Sequence, residues 1–116
     1  MSDSLEQLRQ DLAQFAADRD WGQFHSPKNL ASALIVEAGE LLEHFQWMNE
    51  HASRQLSAEK RNAVGEEMAD VLLYLVQLSA SLDIDLVSAA RAKLAANALK
   101  YPVERSRGHS RKYNEP

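Results

Sequence analysis

Residues 30–48 read LASALIVEAGELLEHFQWM, and residues 64–82 read VGEEMADVLLYLVQLSASL. Apolar residues recur in both stretches at intervals of three and four, which is the period of a helix that buries one face. Each stretch also carries two acids three residues apart: Glu37 with Glu40, and Glu67 with Asp70. The two stretches predict a pair of long, facing helices, and this pair decides the fold.

The acidic pairs point toward the apolar face of each predicted helix. On a wheel of 3.6 residues per turn, Glu37 and Glu67 fall within the apolar stripes, and Glu40 and Asp70 lie about 60° away. The stripes consist of Leu30, Leu34, Leu41, Phe45 and Met48 on one helix and of Val64, Val71, Leu75, Leu78 and Leu82 on the other. A plain hydrophobic core would not place carboxylates there.

Buried carboxylates need a partner, because an unpaired buried charge is costly and neighbouring acids repel one another. No Arg or Lys lies on these faces, so a divalent cation is the simplest partner. An all-carboxylate set suits Mg²⁺ first, with Mn²⁺ as a possible substitute. The competing interpretation places the acids on solvated flanks of the helices. A di-iron bundle would require a Glu-x-x-His motif, and neither pair has a His at that offset.

Helical periodicity and stop signals predict four helices and no strand. Their expected ranges are 4–19, 29–47, 58–82 and 86–99, with Ser4, Asn29, Ser57 and either Asp83 or Asp85 as N-caps. Pro102 forbids continuation of the last helix. We therefore expect an all-α, four-helix bundle-like domain over residues 1–102, followed by a polar, basic C-terminal tail over residues 103–116.

Composition narrows the possible functions. The chain has 116 residues, a net charge of −4 and no cysteine, which argues against a global nucleic-acid footprint and excludes disulfides and thiolate metal sites. Its longest apolar run, residues 71–76, is too short to span a bilayer. We expect a cytoplasmic protein with no membrane and no nucleic-acid partner.

The segments Glu37-Ala38-Gly39-Glu40 and Glu67-Met68-Ala69-Asp70 resemble the ExxE…ExxD signature of the MazG-like superfamily of all-α nucleoside triphosphate pyrophosphohydrolases. Within this superfamily the chain looks most like the dCTP pyrophosphatases. The resemblance covers most of the chain and also rests on Phe15, Arg19-Asp20-Trp21, Phe24-His25, Pro27-Lys28-Asn29-Leu30, Phe45-Gln46-Trp47, Glu66, residues 71–75, Lys93, Asn97, Lys100, Tyr101 and Pro102. One departure is Val36, where many members carry a further Glu.

The resemblance implies a reaction. A (d)NTP, with dCTP or a modified dCTP preferred, is cleaved to the monophosphate and pyrophosphate in nucleotide pool sanitation. Mg²⁺ held by Glu37, Glu40, Glu67 and Asp70 would bind phosphate oxygens and activate a water. The general base stays open among the metal-binding acids and the nearby Glu66 and Glu43; the catalytic candidates are Glu40, Glu66 and Glu67.

The resemblance also implies two groups of substrate-binding residues. Lys93, Asn97, Lys100 and Tyr101 would contact the phosphates, although the same residues fit a solvated helix end with well-placed cations. The aromatic residues Trp21, Trp47 and Tyr74, with His25 nearby, would line the base pocket, since aromatic faces stack on bases. Their competing role is as core aromatics.

Apolar residues also occur opposite the acidic faces, at Ile35, Leu42, Leu72 and Val76. A helix that is apolar all round is buried all round, so we expect a homo-oligomer, a homodimer or a homotetramer as is typical of the family. Two alternative functions remain open. One is a pyrophosphohydrolase of the same superfamily that acts on dUTP or another NTP, and the other is a non-catalytic helical interaction module.

Overall fold

The computed structural model describes residues 4–115 and is all-helical, with no strand in that range. The long helices are α1 (Leu5–Asp18), α2 (Pro27–Glu43), α4 (Ala58–Ser81) and α5 (Leu86–Lys100), and the short ones are α3 (Glu50–Ser53) and α6 (Val103–Ser106). A 3₁₀ turn spans Gly22–Phe24. The prediction of four long helices and an all-α fold is confirmed.

Three of the predicted N-caps are confirmed, and one is wrong. The Ser4 and Ser57 hydroxyls accept hydrogen bonds from the N–H groups of Gln7 and Lys60, and the Asp85 carboxylate accepts one from Ser88. The second helix begins at Pro27 rather than at Asn29. Its cap is Ser26, because a serine followed by proline satisfies the N-terminus while proline gives up no needed donor.

The other helix boundaries differ modestly from those predicted. Helix α2 ends at Glu43, and residues 44–47 form turns, so Trp47 lies beyond the helix. The segment expected to be a loop contains α3, whose first turn is capped by the Asn49 side chain. The tail after Pro102 contains α6.

The described chain divides into two compact units, one up to Ile84 and the other from Asp85 onward. In the first unit, α4 packs against α2 and, less extensively, against α1. The most buried apolar side chains are Leu30 of α2 and Val64 and Val76 of α4. The core therefore lies along α4, the helix that carries the second acidic pair.

Large apolar side chains also remain exposed in this single chain. Ile35 and Leu42, opposite the acidic face of α2, are 70% and 61% exposed, and Leu72 on α4 is 39% exposed. Val76, which the wheel placed with them, is instead buried at 2% exposure. The single chain thus covers Val76 but not the outer face of α2.

No single helix within residues 4–115 has the length and apolar composition of a membrane span, although α4 and α5 counted together would meet those two criteria.

Candidate active site

Three carboxylates from two helices converge in the first unit. Oxygens of Glu37 from α2 and of Glu67 and Asp70 from α4 all lie within 4.8 Å of one another. The packing of α2 against α4 creates this cluster, and the three-residue spacing places Glu67 and Asp70 on the same side of α4. The structure therefore brings together three of the four predicted metal-ligating acids.

Glu40 is adjacent to this cluster. It lies three residues after Glu37 on α2, and hydrogen bonding between the two carboxyls is the largest influence on the protonation of Glu37. The pKa of Glu37 is raised from its ordinary value of 4.5 to about 7. Burial contributes next, followed by hydrogen bonding with Glu67 and by the charges of Glu40 and Asp70.

The cluster contains unsatisfied oxygens. One carboxylate oxygen of Glu37 and one of Glu67, Oε2 in each, is buried without a hydrogen-bond partner among residues 4–115. Across the part of the chain that the structure describes, no Lys or Arg forms an ion pair with either residue. Unpaired buried carboxylate oxygens are costly, so this donor set fits a divalent cation, and the all-oxygen composition fits a hard one.

The remaining catalytic candidate, Glu66, is exposed on α4. It is next to Glu67 in sequence but about 100° away around the helix, and it is not among the three clustered acids. The structure therefore separates Glu66 from the convergent oxygens.

A cavity of about 360 Å³ adjoins the acidic cluster. Asp70 belongs to both, so the cluster and the cavity share this one side chain. The lining side chains come from α1, α4 and the turn between α1 and α2, and they comprise Leu8, Asp11, Leu12, Phe15, Trp21, His25, Asp70, Leu73, Tyr74 and Gln77. An apolar and aromatic pocket with a few polar groups beside a charged site is the usual form of a small-molecule site.

Three of the predicted base-pocket residues line this cavity: Trp21, His25 and Tyr74. Trp21 packs edge-on against Phe15 with ring centroids 5.7 Å apart, and its ring centroid is 6.3 Å from that of His25. The Arg19 guanidinium covers the Phe15 ring at 3.6 Å from its centroid. The aromatic side chains therefore support one another at the edge of the cavity.

The chain reversal after α1 positions Trp21. Asp20 adopts a left-handed conformation with φ of 54°, and the Trp21 N–H then donates to the Ala16 carbonyl at 2.9 Å. This bond closes the helix end in the manner of a Schellman motif. Further along, the Asn29 side chain donates to the Phe24 carbonyl at 3.0 Å, which ties the aromatic turn to the start of α2.

Trp47 does not line the cavity. It lies in the turn after α2 with 90% of its surface exposed. In the single chain, Trp47 is therefore not at the cavity where the other predicted base-pocket residues lie.

The predicted phosphate-binding residues lie in the second unit. Lys93, Asn97 and Lys100 belong to α5, and Tyr101 follows its last residue, with its N–H donating to the Asn97 carbonyl at 2.9 Å. Tyr101 meets the Tyr113 ring edge-on at 6.0 Å, and Lys100 Nζ lies 5.1 Å from the Tyr113 centroid. The second half of the tail thus contacts the end of α5.

Sequence reasoning missed two polar residues of the cavity, Asp11 and Gln77. Both carried a detectable signal. Asp11 lies between Leu8 and Phe15 on the apolar face of α1, and Gln77 interrupts an apolar run about two turns after Asp70. One oxygen of Asp11 accepts a hydrogen bond from Gln7 Nε2 at 3.0 Å.

Comparison with known proteins identifies the family of the chain. The model of the MazG-like family matches residues 33–115. The dCTP pyrophosphatase 1 proteins of Bos taurus and Homo sapiens are each 46% identical to the chain over 114 residues; both matches cover 97% of it, with 68% of the bovine and 67% of the human protein. A crystal structure of a pyrophosphatase from Archaeoglobus fulgidus superposes with a TM-score of 0.81 at 36% identity, covering 88% of this chain and 95% of that one.

The family match spans most of the chain and includes both acidic pairs, three members of which, Glu37, Glu67 and Asp70, form the acidic cluster. From the fold, the site and these relatives together, the chain belongs to the MazG-like family.

Proposed function

We propose that this protein is a Mg²⁺-dependent nucleoside triphosphate pyrophosphohydrolase that cleaves dCTP, or a modified dCTP, to the monophosphate and pyrophosphate in nucleotide pool sanitation. The observation that carries this proposal is the convergence of Glu37, Glu67 and Asp70 at a cavity lined by aromatic side chains. Such a cavity suits a base, and such a cluster suits the cation that accompanies a polyphosphate. The choice of cytosine as the preferred nucleobase rests on the relatives named dCTP pyrophosphatase 1.

Glu37, Glu40, Glu67 and Asp70 would hold the metal. The Oε2 atoms of Glu37 and Glu67 are suitable ligands because they have no hydrogen-bond partner in the described part of the chain. A divalent ion bound there supplies positive charge at the phosphate oxygens and lowers the pKa of a water. Mn²⁺ would be the most suitable replacement, since it shares the preference for oxygen ligands.

A carboxylate must accept the proton of the attacking water, and three acids are candidates. Glu40 and Glu67 are at the cluster, whereas Glu66 is exposed to solvent. A general base needs to reach the proton it removes within hydrogen-bond distance, directly or through one water. This favours Glu40 or Glu67 as the general base, with Glu66 kept as a third candidate.

The base would lie against Trp21 and Tyr74, with His25 at the edge. Trp47, fully exposed in the single chain, would join the pocket from a second copy of the protein. The phosphates would be held by Lys93, Asn97, Lys100 and Tyr101, because lysine and amide donors match phosphate oxygens. These roles follow the pattern of the family and are part of the proposal.

A homo-oligomer, either a dimer or a tetramer of four-helix bundle-like domains, would cover the outer face of α2. The exposed Ile35 and Leu42 support this assembly, since large exposed apolar patches mark protein contacts. The catalytic domain would extend over residues 1–102, with the basic tail over 103–116. A nucleotide substrate is found in the cytoplasm, where we place the protein.

The test incubates purified protein with dCTP, dUTP, dATP and dGTP, with and without Mg²⁺, and separates the products by anion exchange. We expect monophosphate and pyrophosphate, dCTP as the best substrate, and no turnover without metal or in Glu67→Gln. Orthophosphate as the product would contradict the proposed bond cleavage. No turnover of any nucleotide by the folded, Mg²⁺-loaded protein would leave a non-catalytic interaction module as the better account.

A further inference from the structure

Gln77 carries a buried polar atom that the proposed reaction does not use. It lines the cavity on α4, and its Oε1 is buried without a hydrogen-bond partner among the described residues. A buried, unsatisfied carbonyl oxygen is costly, and such an atom in a binding cavity requires an explanation. A donor supplied by the ligand would remove this cost.

Among the residues of α4 that line the cavity, Gln77 is the one farthest along the helix from Asp70 of the acidic cluster. Asp70, Tyr74 and Gln77 are spaced by four and three residues on α4, so they lie along one side of the helix. Seven residues of helix separate Asp70 from Gln77 by about 10 Å. A nucleotide with its phosphates near Asp70 and its base against Tyr74 directs the outer edge of that base toward Gln77.

A second acceptor comes from a different helix. Asp11 of α1 lines the same cavity, is exposed, and keeps one oxygen bonded to Gln7. An ionised carboxylate accepts hydrogen bonds and donates none. Together with Gln77 Oε1, this gives the cavity two side-chain acceptors that belong neither to the acidic cluster nor to the aromatic residues, and no lysine or arginine is among the described residues that line it.

We infer that Gln77, with Asp11, selects a base that carries an exocyclic amino group, such as cytosine, and disfavours uracil and thymine. An amino group donates two N–H bonds and so satisfies the two acceptors. The carbonyl oxygen at the same position of uracil donates none and leaves Gln77 Oε1 buried and unpaired. This inference rests on the proposed function, which places a nucleotide in the cavity, and it names the residues that set its base preference.

The discrimination matters because the aromatic walls cannot supply it. Every base has a π-face, so stacking on Trp21 or Tyr74 tolerates any base. A site that hydrogen-bonds its ligand rejects an analogue lacking that bond far more strongly than an apolar site does. Gln77 is the buried polar residue of the cavity with an unused atom, which makes it the main selectivity residue.

The experiment measures binding of product monophosphates in the presence of Mg²⁺, so that it does not depend on turnover. The probes are dCMP, dUMP and 2-pyrimidinone deoxyriboside monophosphate, which has a hydrogen in place of the amino group of cytosine. Wild-type protein is compared with Gln77→Leu, Gln77→Met and Asp11→Asn. Gln14→Leu is the matched control, because Gln14 is exposed on α1 and bonds Asp18 outside the cavity.

We expect wild-type protein and Gln14→Leu to bind dCMP at least about tenfold more tightly than either other probe. In Gln77→Leu and Gln77→Met this ratio falls toward one, and in Asp11→Asn it falls partway. The two Gln77 variants guard against one of them failing to fold, which thermal unfolding detects.

An unchanged ratio in a folded Gln77 variant would overturn the inference, as would a wild-type protein that binds dUMP or the pyrimidinone nucleotide as tightly as dCMP. A wild-type protein that shows the expected binding ratio but cleaves no triphosphate would contradict the proposed function alone. The two failures are therefore distinguishable.

Discussion

Glu37 on α2 and Glu67 on α4 each bury one unpaired carboxylate oxygen at the contact between their helices, with ligand oxygens within 4.8 Å of each other. Two carboxylates at this distance repel when both are ionised. Without metal, this repulsion lowers the stability of the folded protein. A bound cation would attract both carboxylates and so stabilise the contact between the two helices.

Glu67→Gln is expected to raise the melting temperature of the metal-free protein and to abolish the stabilisation that Mg²⁺ gives the wild type. The amide removes one charge from the cluster and is a weaker ligand. Loss of residues that only support a metal ligand costs about 10–100-fold, so loss of the ligand itself should lower activity by at least about 100-fold. Melting curves with EDTA and with Mg²⁺, alongside product assays, provide the measurement.

Glu59→Gln is the control, since Glu59 is an exposed acid in the first turn of the same helix. It should keep the Mg²⁺ response of the wild type. An equal loss of that response in both variants would argue against a specific site at Glu67.

The metal-free protein should lose stability as the pH rises from about 4.5 to about 7. The pKa of Glu37 is raised from 4.5 to about 7, so the folded state holds this proton more tightly than the unfolded state. The resulting penalty is absent below pH 4.5, grows through the window and is complete above pH 7. Urea unfolding in EDTA at pH 5 and pH 7.5 measures it.

Glu37→Gln should flatten this dependence. Glu6 does not obscure it, because its pKa is lowered to about 2, chiefly by hydrogen bonding with Arg9, and its contribution to stability is lost only below pH 4.5. A metal-free wild type that gains stability between pH 5 and pH 7.5 would contradict the assignment.

Truncation of two apolar residues of α2 should change the free energy of unfolding by very different amounts. Leu30→Ala should lower the free energy of unfolding by about 2–5 kcal/mol, because Leu30 is 2% exposed and its removal leaves a cavity. Ile35→Ala should change the free energy of unfolding of the dilute single chain by less than about 0.5 kcal/mol, since Ile35 is 70% exposed. Urea titrations measure both changes.

Ile35→Ala should instead weaken the proposed assembly, which sedimentation at several protein concentrations reports. A wild type that sediments as a monomer at all concentrations would contradict the homo-oligomer.

Mixing a variant with a raised KM and an inactive variant tests whether Trp47 acts across copies. Trp47→Ala should raise the KM about tenfold or more, as loss of a stacking side chain does, and Glu67→Gln should be inactive. In a mixed assembly, Glu67 of one copy faces Trp47 of the other, so one complete site forms. We expect the mixture to show a low-KM component that neither variant has alone; its absence would contradict a contribution of Trp47 to the site of another copy.

The acidic cluster was predictable because a carboxylate on an apolar stripe conflicts with burial, and only a few arrangements resolve that conflict. Ser26 was missed as the cap of α2, although the order Ser26-Pro27 is itself a start signal. Asp11 and Gln77 were missed because each is a single polar residue on a stripe, and only the packing of α1 on α4 places them at one cavity.

Trp47 shows a different limit. The segment Phe45-Gln46-Trp47 resembles the family, yet Trp47 is 90% exposed in the single chain. Any further burial of Trp47 would require a contact from another molecule on the turn after α2. Periodicity describes one helix at a time, so it carries no information about contacts between copies.

Helix α4 carries an acid of the cluster, an aromatic wall and an unpaired amide oxygen at positions 70, 74 and 77. The number of residues between these positions therefore fixes the distances between the three groups along the helix. Inserting one residue between Asp70 and Tyr74 would turn everything beyond it by about 100° and point the wall away from the cavity. Substitutions at these three positions would change which ligand groups are contacted, whereas an insertion or deletion between them would change the side of the helix that the later residues face.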